Sequence, residues 1–369
     1  MTYDVYMPVR CIYGKDAVTE NSSLFKGLGS RCLIVTGKHA AKASGALDDA
    51  CKALEKEGIA YAVFDEITAN PLLSSCRKAG EKAREINAQF ILGIGGGSPQ
   101  DSCKAIAIYA TNPDLSELDI YKRVYSDPPL PVALIGTTAG TGSEVTAVSV
   151  LTNDETGVKK SIKGPDCYAK ISFCDPKYTY SVPLEQTIST ALDAFAHAAE
   201  GFFTAKCEGI ERLYAEKCIP SLYSCLKALA QGDEITEDLR DELYYGSIYA
   251  GLVINTCGTA FPHPMGYVLT ENYGVSHGTA CAAFYSPFLD RCAKFSPEKA
   301  KCFFEMTDEK EKVKNLIASL THINGIKMSP EEAHKYSERW ASVTPGNFLA
   351  SPGSLTREEA EKILIDLFG

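Results

Sequence analysis

The hydrophobic pattern changes character near residue 183. Before it, short apolar runs lie at 32–37, 61–67, 90–97, 131–138, 146–153 and 170–176, several ending in glycine-rich or polar turns. Runs of this length bounded by turn residues predict strands. Between them, 46–58 and 74–88 carry apolar residues at helical spacing. Strand–helix–strand repetition predicts a parallel sheet with helices on both faces. After Val182-Pro183 the pattern turns helical, with long candidates at 186–205, 211–232 and 240–258. A last helix at 355–368 opens on a capping box formed by Thr356 and Glu359. The expected organisation is an α/β domain over residues 1–182 and an all-helical domain over 183–369, sharing a cleft.

Composition narrows the class. The chain has 369 residues, 45% hydrophobic and 23% charged, which fits a globular protein of about two domains and excludes a disordered chain. Its net charge of −10 (37 basic against 47 acidic residues) argues against nucleic-acid or anionic-membrane partners. None of the 14 cysteines forms a CxxC pair, and Cys32, Cys174 and Cys281 stand inside apolar runs. That is the behaviour of reduced core thiols rather than of a disulfide framework or zinc ribbon. No run reaches the ~18 apolar residues of a membrane span, and the first ten residues carry no apolar leader. A soluble cytoplasmic protein is expected.

Two loops carry phosphate-binding chemistry. The strand at 90–97 runs into Gly95-Gly96-Gly97-Ser98 and then a helix with Asp101 and Lys104. Glycines there let backbone N–H groups approach a phosphate, and a helix N-terminus favours its charge. The second loop, 136–144, offers Thr137, Thr138, Thr141 and Ser143 after another apolar strand. Either loop alone also reads as a tight turn or a capped helix start; two in one α/β domain favour a nucleotide. After the first clear strand the chain has Gly37 and Lys38, then Lys42. Where an acid would grip the ribose 2′-hydroxyl of NAD, a small residue beside a cation admits the 2′-phosphate, so NADP(H) is favoured over NAD(H).

The helical half holds a metal-ligand pattern. Asp193 and His197 stand i, i+4 on one helix, and His263 and His277 follow in 261–278. One carboxylate and three imidazoles suit Fe(II), alternatively Zn(II). An i, i+4 Asp–His pair also arises as an ordinary hydrogen-bonded pair. His39, His322 and His334 stand in polar surroundings and read as surface residues.

These residues together resemble the iron-containing (group III) alcohol dehydrogenases, and most closely an NADP-using, butanol-dehydrogenase-like branch. The likeness rests on GGGSPQDSCKA, TTAGTGSE, the segment from Ser172 through Asp175, Pro183, Thr190–Asp193 and Glu200, and the four ligand positions. It implies a Rossmann-like dinucleotide-binding domain before a helical metal-binding domain, a dehydroquinate-synthase-like architecture. It implies hydride transfer between NADP(H) and a primary alcohol or aldehyde, with Asp193, His197, His263 and His277 as catalytic metal ligands. Asn70 is implied at the adenosine, and Gly96, Gly97, Ser98 and Asp101 at the phosphates. Thr137, Thr138, Thr141 and Ser143 are implied at the nicotinamide half, with Lys160 (Lys159 being equally placed) and Thr179. Tyr267 stands where many members carry a second histidine and is the candidate proton-transfer group; Glu271 stands where small residues are usual. A glycerol-dehydrogenase-like zinc polyol dehydrogenase and a non-catalytic nucleotide-binding protein are the alternatives. A homodimer is expected, through an edge strand at 7–13.

Overall fold

The computed structural model describes residues 5–323 and 325–369. The chain divides into two compact units between Pro183 and Leu184. Among its described residues the N-terminal unit has eight strands: β1 (Arg10–Tyr13), β2 (Arg31–Thr36), β3 (Ala60–Phe64), β4 (Phe90–Gly95), β5 (Val132–Gly136), β6 (Val148–Thr152), β7 (Lys159–Lys163) and β8 (Ile171–Cys174). Six form one sheet in the order β1-β8-β5-β4-β2-β3, parallel throughout. Both faces are covered, as parallel sheets require. Along β2, Leu33 and Val35 enter the core on one face while Cys32 and Ile34 enter the core on the other.

The run at 146–153 departs from expectation. It forms β6, which pairs antiparallel with β7 in a separate two-stranded sheet. β6 alternates between buried and more accessible positions, the pattern of a strand covered on one face, whereas β7 buries Lys159 and Ile162, which point to opposite faces. β7 itself, Lys-Lys-Ser-Ile-Lys, is too charged to announce a strand.

The order of connections locates the crevice. The chain leaves β2 for β3 on one side, and leaves β4 for β5 on the other. In such sheets ligands bind beyond the carboxyl ends of the strands at this switch. Gly37 follows β2 there, and Gly96–Ser98 follow β4. In register, Gly95 lies opposite Gly136, so both glycine-rich loops start at the same level.

The C-terminal unit is helical from Leu184 on among the described residues. The long helices run Leu184–Phe203, Ile210–Gln231 and Glu237–Cys257, the second continuing through Pro220. The expected capping box at Thr356 and Glu359 is present in both directions and starts the helix Arg357–Phe368. Among the described residues no helix is long and apolar enough to cross a membrane.

Gly93, in buried β4, provides a test of sheet packing. A β-carbon there would meet Cys103 Sγ at 2.7 Å and Leu134 Cδ2 at 2.9 Å. Gly93→Ala should lower stability by about 1–3 kcal/mol in urea unfolding, the range for overpacking a filled core.

Candidate metal centre and cofactor loops

The candidate metal ligands are assembled in the C-terminal unit by one long helix and two close crossings. Asp193, His197 and Glu200 lie at i, i+4 and i+7 on the helix Leu184–Phe203, hence on one face. His263 enters at the start of the helix Pro262–Tyr273, where Pro262 suits a first turn. His277 opens the short helix His277–Ala282. Two glycines let these helices approach. A β-carbon on Gly278 would overlap the Ser189 carbonyl and lie 2.9 Å from Asp193 Cβ. One on Gly266 would lie 2.9 Å from the Cys281 nitrogen.

The three imidazoles converge on one oxygen. Asp193 Oδ1 lies 3.5 Å from His263 Nε2, 3.7 Å from His277 Nε2 and 3.8 Å from His197 Nε2. Asp193, His197 and His263 are buried, and Asp193 Oδ1 and His263 Nε2 have no hydrogen-bond partner. Orphaned buried atoms of this kind need an explanation. Donors about 2.0–2.2 Å from a shared ion in near-tetrahedral array stand about 3.3–3.6 Å apart, close to the observed spacing. The residues fit a divalent metal.

Glu200 is the partner that sequence reading left without a role. It is fully buried, its Oε1 lies 2.7 Å from His263 Nδ1, and its Oε2 accepts from the Ala260 amide at 2.8 Å. With Nδ1–H donated to Glu200, the Nε2 lone pair is left for a metal. Its place one turn beyond His197 was visible in the sequence; its contact with His263, sixty-three residues on, was not.

The electrostatics agree. Burial alone would raise the Asp193 carboxyl, but the imidazoles of His197, His277 and His263 outweigh it and hold the group below the usual carboxylate range. Burial pulls His263 down, while Glu200 and Asp193 overcome it and push its pKa up to about 10. Burial raises the Glu200 carboxyl against the pull of His263.

Cys281 also stands among these donors, its sulfur grouped with Asp193, His263 and His277 within 4.8 Å. The sulfur lies 3.8 Å from His277 Nδ1 and 3.9 Å from Nε2. Near-equal distances to both nitrogens put it beside the His277 ring, while His197, the fourth ligand expected from the sequence, reaches the centre through its Nε2, 3.8 Å from Asp193 Oδ1. Tyr267 stacks on His277 with centroids 5.4 Å apart and packs against Trp340 at 5.3 Å. Its ring forms part of the wall beside the ligands. Glu271, one turn further, accepts from Arg339 at 2.8 Å.

In the N-terminal unit the two glycine-rich loops touch. A β-carbon on Gly96 would meet Thr138 Oγ1 at 2.7 Å, and one on Gly97 would meet Thr141 Cγ2 at 2.6 Å. The Thr137 amide donates to the Gly95 carbonyl at 3.1 Å. The helix Gly97–Thr111 has no side-chain cap and no acid in its first turn, which leaves its N-terminus suited to an anion. Ser98 lies in that first turn. Gly37 packs against the Ile67 carbonyl, 3.0 Å from where a β-carbon would stand. Lys38 is exposed, and Lys42 pairs with Asp65 at 3.2 Å. Asn70 holds a left-handed turn (φ 56°) at the surface. Thr179 is buried and donates to the Pro176 carbonyl at 2.7 Å. Of the two lysines in β7, Lys159 is buried, while Lys160 is exposed over the Tyr121 ring at 5.2 Å.

Comparison with known proteins gives one answer. Residues 8–176 match the family model for iron-containing alcohol dehydrogenase, and residues 187–343 match that for the Fe-containing alcohol dehydrogenase family, C-terminal. The chain is 31% identical to alcohol dehydrogenase 4 of Schizosaccharomyces pombe over 281 residues, 75% of this chain and 65% of that one. It is 32% identical to NADH-dependent butanol dehydrogenase A of Clostridium acetobutylicum over 296 residues, 76% of this chain and 73% of that one. The crystal structure of an iron-containing alcohol dehydrogenase from Thermotoga maritima superposes with a TM-score of 0.91 at 32% identity, covering 100% of both chains.

Two outcomes follow for the metal. Glu200→Gln should weaken metal binding about 10–100-fold in competition with a chelator, the usual effect of losing a carboxylate behind a ligand histidine. A ligand imidazole must be neutral, and His263 keeps its proton up to about pH 10 without metal. Apparent metal affinity should therefore rise with pH from neutrality and level off near that value, with proton release visible by calorimetry.

Proposed function

The chain belongs to the iron-containing alcohol dehydrogenase family, and from that premise we propose that it interconverts a primary alcohol and its aldehyde, using NADP(H) in preference to NAD(H). The observation that carries the proposal is the orphaned pair of buried atoms, Asp193 Oδ1 and His263 Nε2, amid the Nε2 atoms of His197 and His277. Fe(II) is the proposed occupant, and the same donors accept Zn(II). Such an ion, when bound, polarises an alcohol or carbonyl oxygen as a Lewis acid.

The chain's own residues do the rest. Asp193 supplies the negative charge of the donor set, and Glu200 fixes the His263 ring and its tautomer through the 2.7 Å contact. The Tyr267 ring flanks His277. Stacking on His277 and a tilted contact with Trp340 support packing as its role, while proton transfer would need its hydroxyl at the substrate. In the other unit, the N-terminus of Gly97–Thr111 and the hydroxyls of Thr138 and Thr141 are the proposed cradle for the dinucleotide. NADP(H) is favoured because Gly37 carries no acid and is crowded by the Ile67 carbonyl, with Lys38 beside it. Lys42 contributes less, since Asp65 neutralises it. Asn70, Lys160 and Thr179 belong to the same proposed cofactor surface, with Lys159 the buried neighbour. A homodimer is supported by β1, one of the two edge strands of the sheet, beside which Val5, Tyr6 and Met7 are exposed.

Anaerobically purified, Fe(II)-loaded protein should oxidise NADPH when given butyraldehyde, faster than it oxidises NADH, and the metal-stripped protein should not. Metal-dependent activity that prefers NADH would remove the cofactor assignment and leave the metal site standing. Tyr267→Phe should keep kcat and its pH profile; a fall in kcat with a displaced profile would restore the hydroxyl as the proton-transfer group.

A further inference from the structure

Lys104 is a lysine with no exposed surface, in a helix otherwise faced by Cys103, Ala105 and Ile106. Its ammonium lies at the centre of a ring of oxygens. Its three N–H groups are shared among the Ser143 carbonyl at 2.9 Å, Ser143 Oγ at 2.7 Å, the Thr146 carbonyl at 3.0 Å and the Val148 carbonyl at 2.7 Å. Thr146 Oγ1 stands at 3.4 Å, and Asp101 Oδ1, one turn back, at 3.7 Å. A buried ammonium needs its N–H groups satisfied and its charge offset; here oxygens take up the N–H groups and Asp101 offsets part of the charge, while burial still holds the Lys104 pKa below its ordinary value.

Asp101 completes the ring. Its Oδ1 accepts from Ser143 Oγ at 2.6 Å, its Oδ2 from the Val150 amide at 2.8 Å, and its carbonyl from Ser149 Oγ at 2.7 Å. One face of the helix Gly97–Thr111 is thereby stitched to the far end of the second glycine-rich loop and the start of β6. The near end is fixed by the Thr137 amide on Gly95. Held at both ends, the loop sets Thr138 and Thr141 against Gly96 and Gly97.

From this we propose that Lys104 and Asp101 are positioning residues for dinucleotide binding: they clamp the second loop to the first and do not touch the phosphates themselves. The inference rests on the dinucleotide reading of these loops given above. It also alters what the family resemblance implies. Asp101 and Ser143 spend their polar atoms on each other and on Lys104, and the ion pair brings no net charge. The anion is left to backbone N–H groups at the helix start and to the threonine hydroxyls. Removing the cation leaves the oxygens of Ser143, Thr146 and Val148 facing one another without a donor, which frees the loop.

The experiment titrates the full-length, metal-loaded protein with NADPH and separately with NADH, following cofactor fluorescence. It compares the wild type with Lys104→Met, Asp101→Asn and Ser143→Ala. Metal content reports on the other unit, and circular dichroism on the fold. Lys104→Met should raise the cofactor Kd about tenfold or more, with kcat at saturating cofactor within about twofold of wild type, the split expected for lost ground-state positioning. Asp101→Asn and Ser143→Ala should move Kd in the same direction by less. Wild-type Kd values in folded variants would overturn the inference, as would a fall in kcat with Kd unchanged. If Lys104→Met does not fold, the other two variants decide by the same criterion. A wild type that binds neither nucleotide would overturn the cofactor reading itself, and the clamp with it, a result distinct from tight wild-type binding that the variants leave untouched.

Discussion

A carboxylate buried among imidazoles is the constraint on which the C-terminal unit depends. Asp193 has only 3% of its surface exposed, and a charge in that position must be matched. Three imidazoles stand around it, and the proposed cation would complete the match. The matching fixes where each histidine must stand, and through them where the helices Pro262–Tyr273 and His277–Ala282 cross the helix Leu184–Phe203. Gly266 and Gly278 are the steric condition for those crossings, since a side chain at either would meet backbone atoms of the neighbouring helix. Glu200 extends the same electrostatics one residue outward. Its buried carboxylate is matched by His263 and the Ala260 amide, so the start of the helix carrying His263 is tied to the helix carrying Asp193.

The N-terminal unit follows the same rule with the sign reversed. There the buried charge is an ammonium, and the matching partners are mostly backbone carbonyls. Packing and polar matching act together: glycines at 96 and 97 permit contact between the two loops, and Lys104 with Asp101 fixes the far side of that contact. Neither unit uses a disulfide; all fourteen cysteines are free thiols and most are buried as small apolar side chains.

Much of this was legible in the sequence, for specific reasons. The parallel strands were readable because burial on both faces leaves nearly continuous apolar runs, as in 32–36 and 90–94. The metal helix was readable because Asp193 and His197 are one turn apart, a spacing local to the chain. The β6–β7 hairpin was not, because a short alternating run does not announce its partner's direction and β7 is mostly lysine. The Glu200–His263 contact was hidden by separation along the chain. The burial of Lys104 left a faint trace, a cation between apolar neighbours, yet its carbonyl partners lie about forty residues away and no periodicity points to them. Among neighbouring lysines, sequence could not choose between 159 and 160; in β7 the first is buried and the second exposed.

In the proposed site Asp193, His197, His263 and His277 hold one metal ion and Cys281 does not ligate it. X-ray absorption at the metal edge of the loaded protein tests it most directly. The account predicts a shell of nitrogen and oxygen scatterers at about 2.0–2.2 Å with a strong imidazole pattern behind it. A sulfur scatterer at about 2.3 Å that disappears in Cys281→Ser, or a shell without imidazoles, would contradict it.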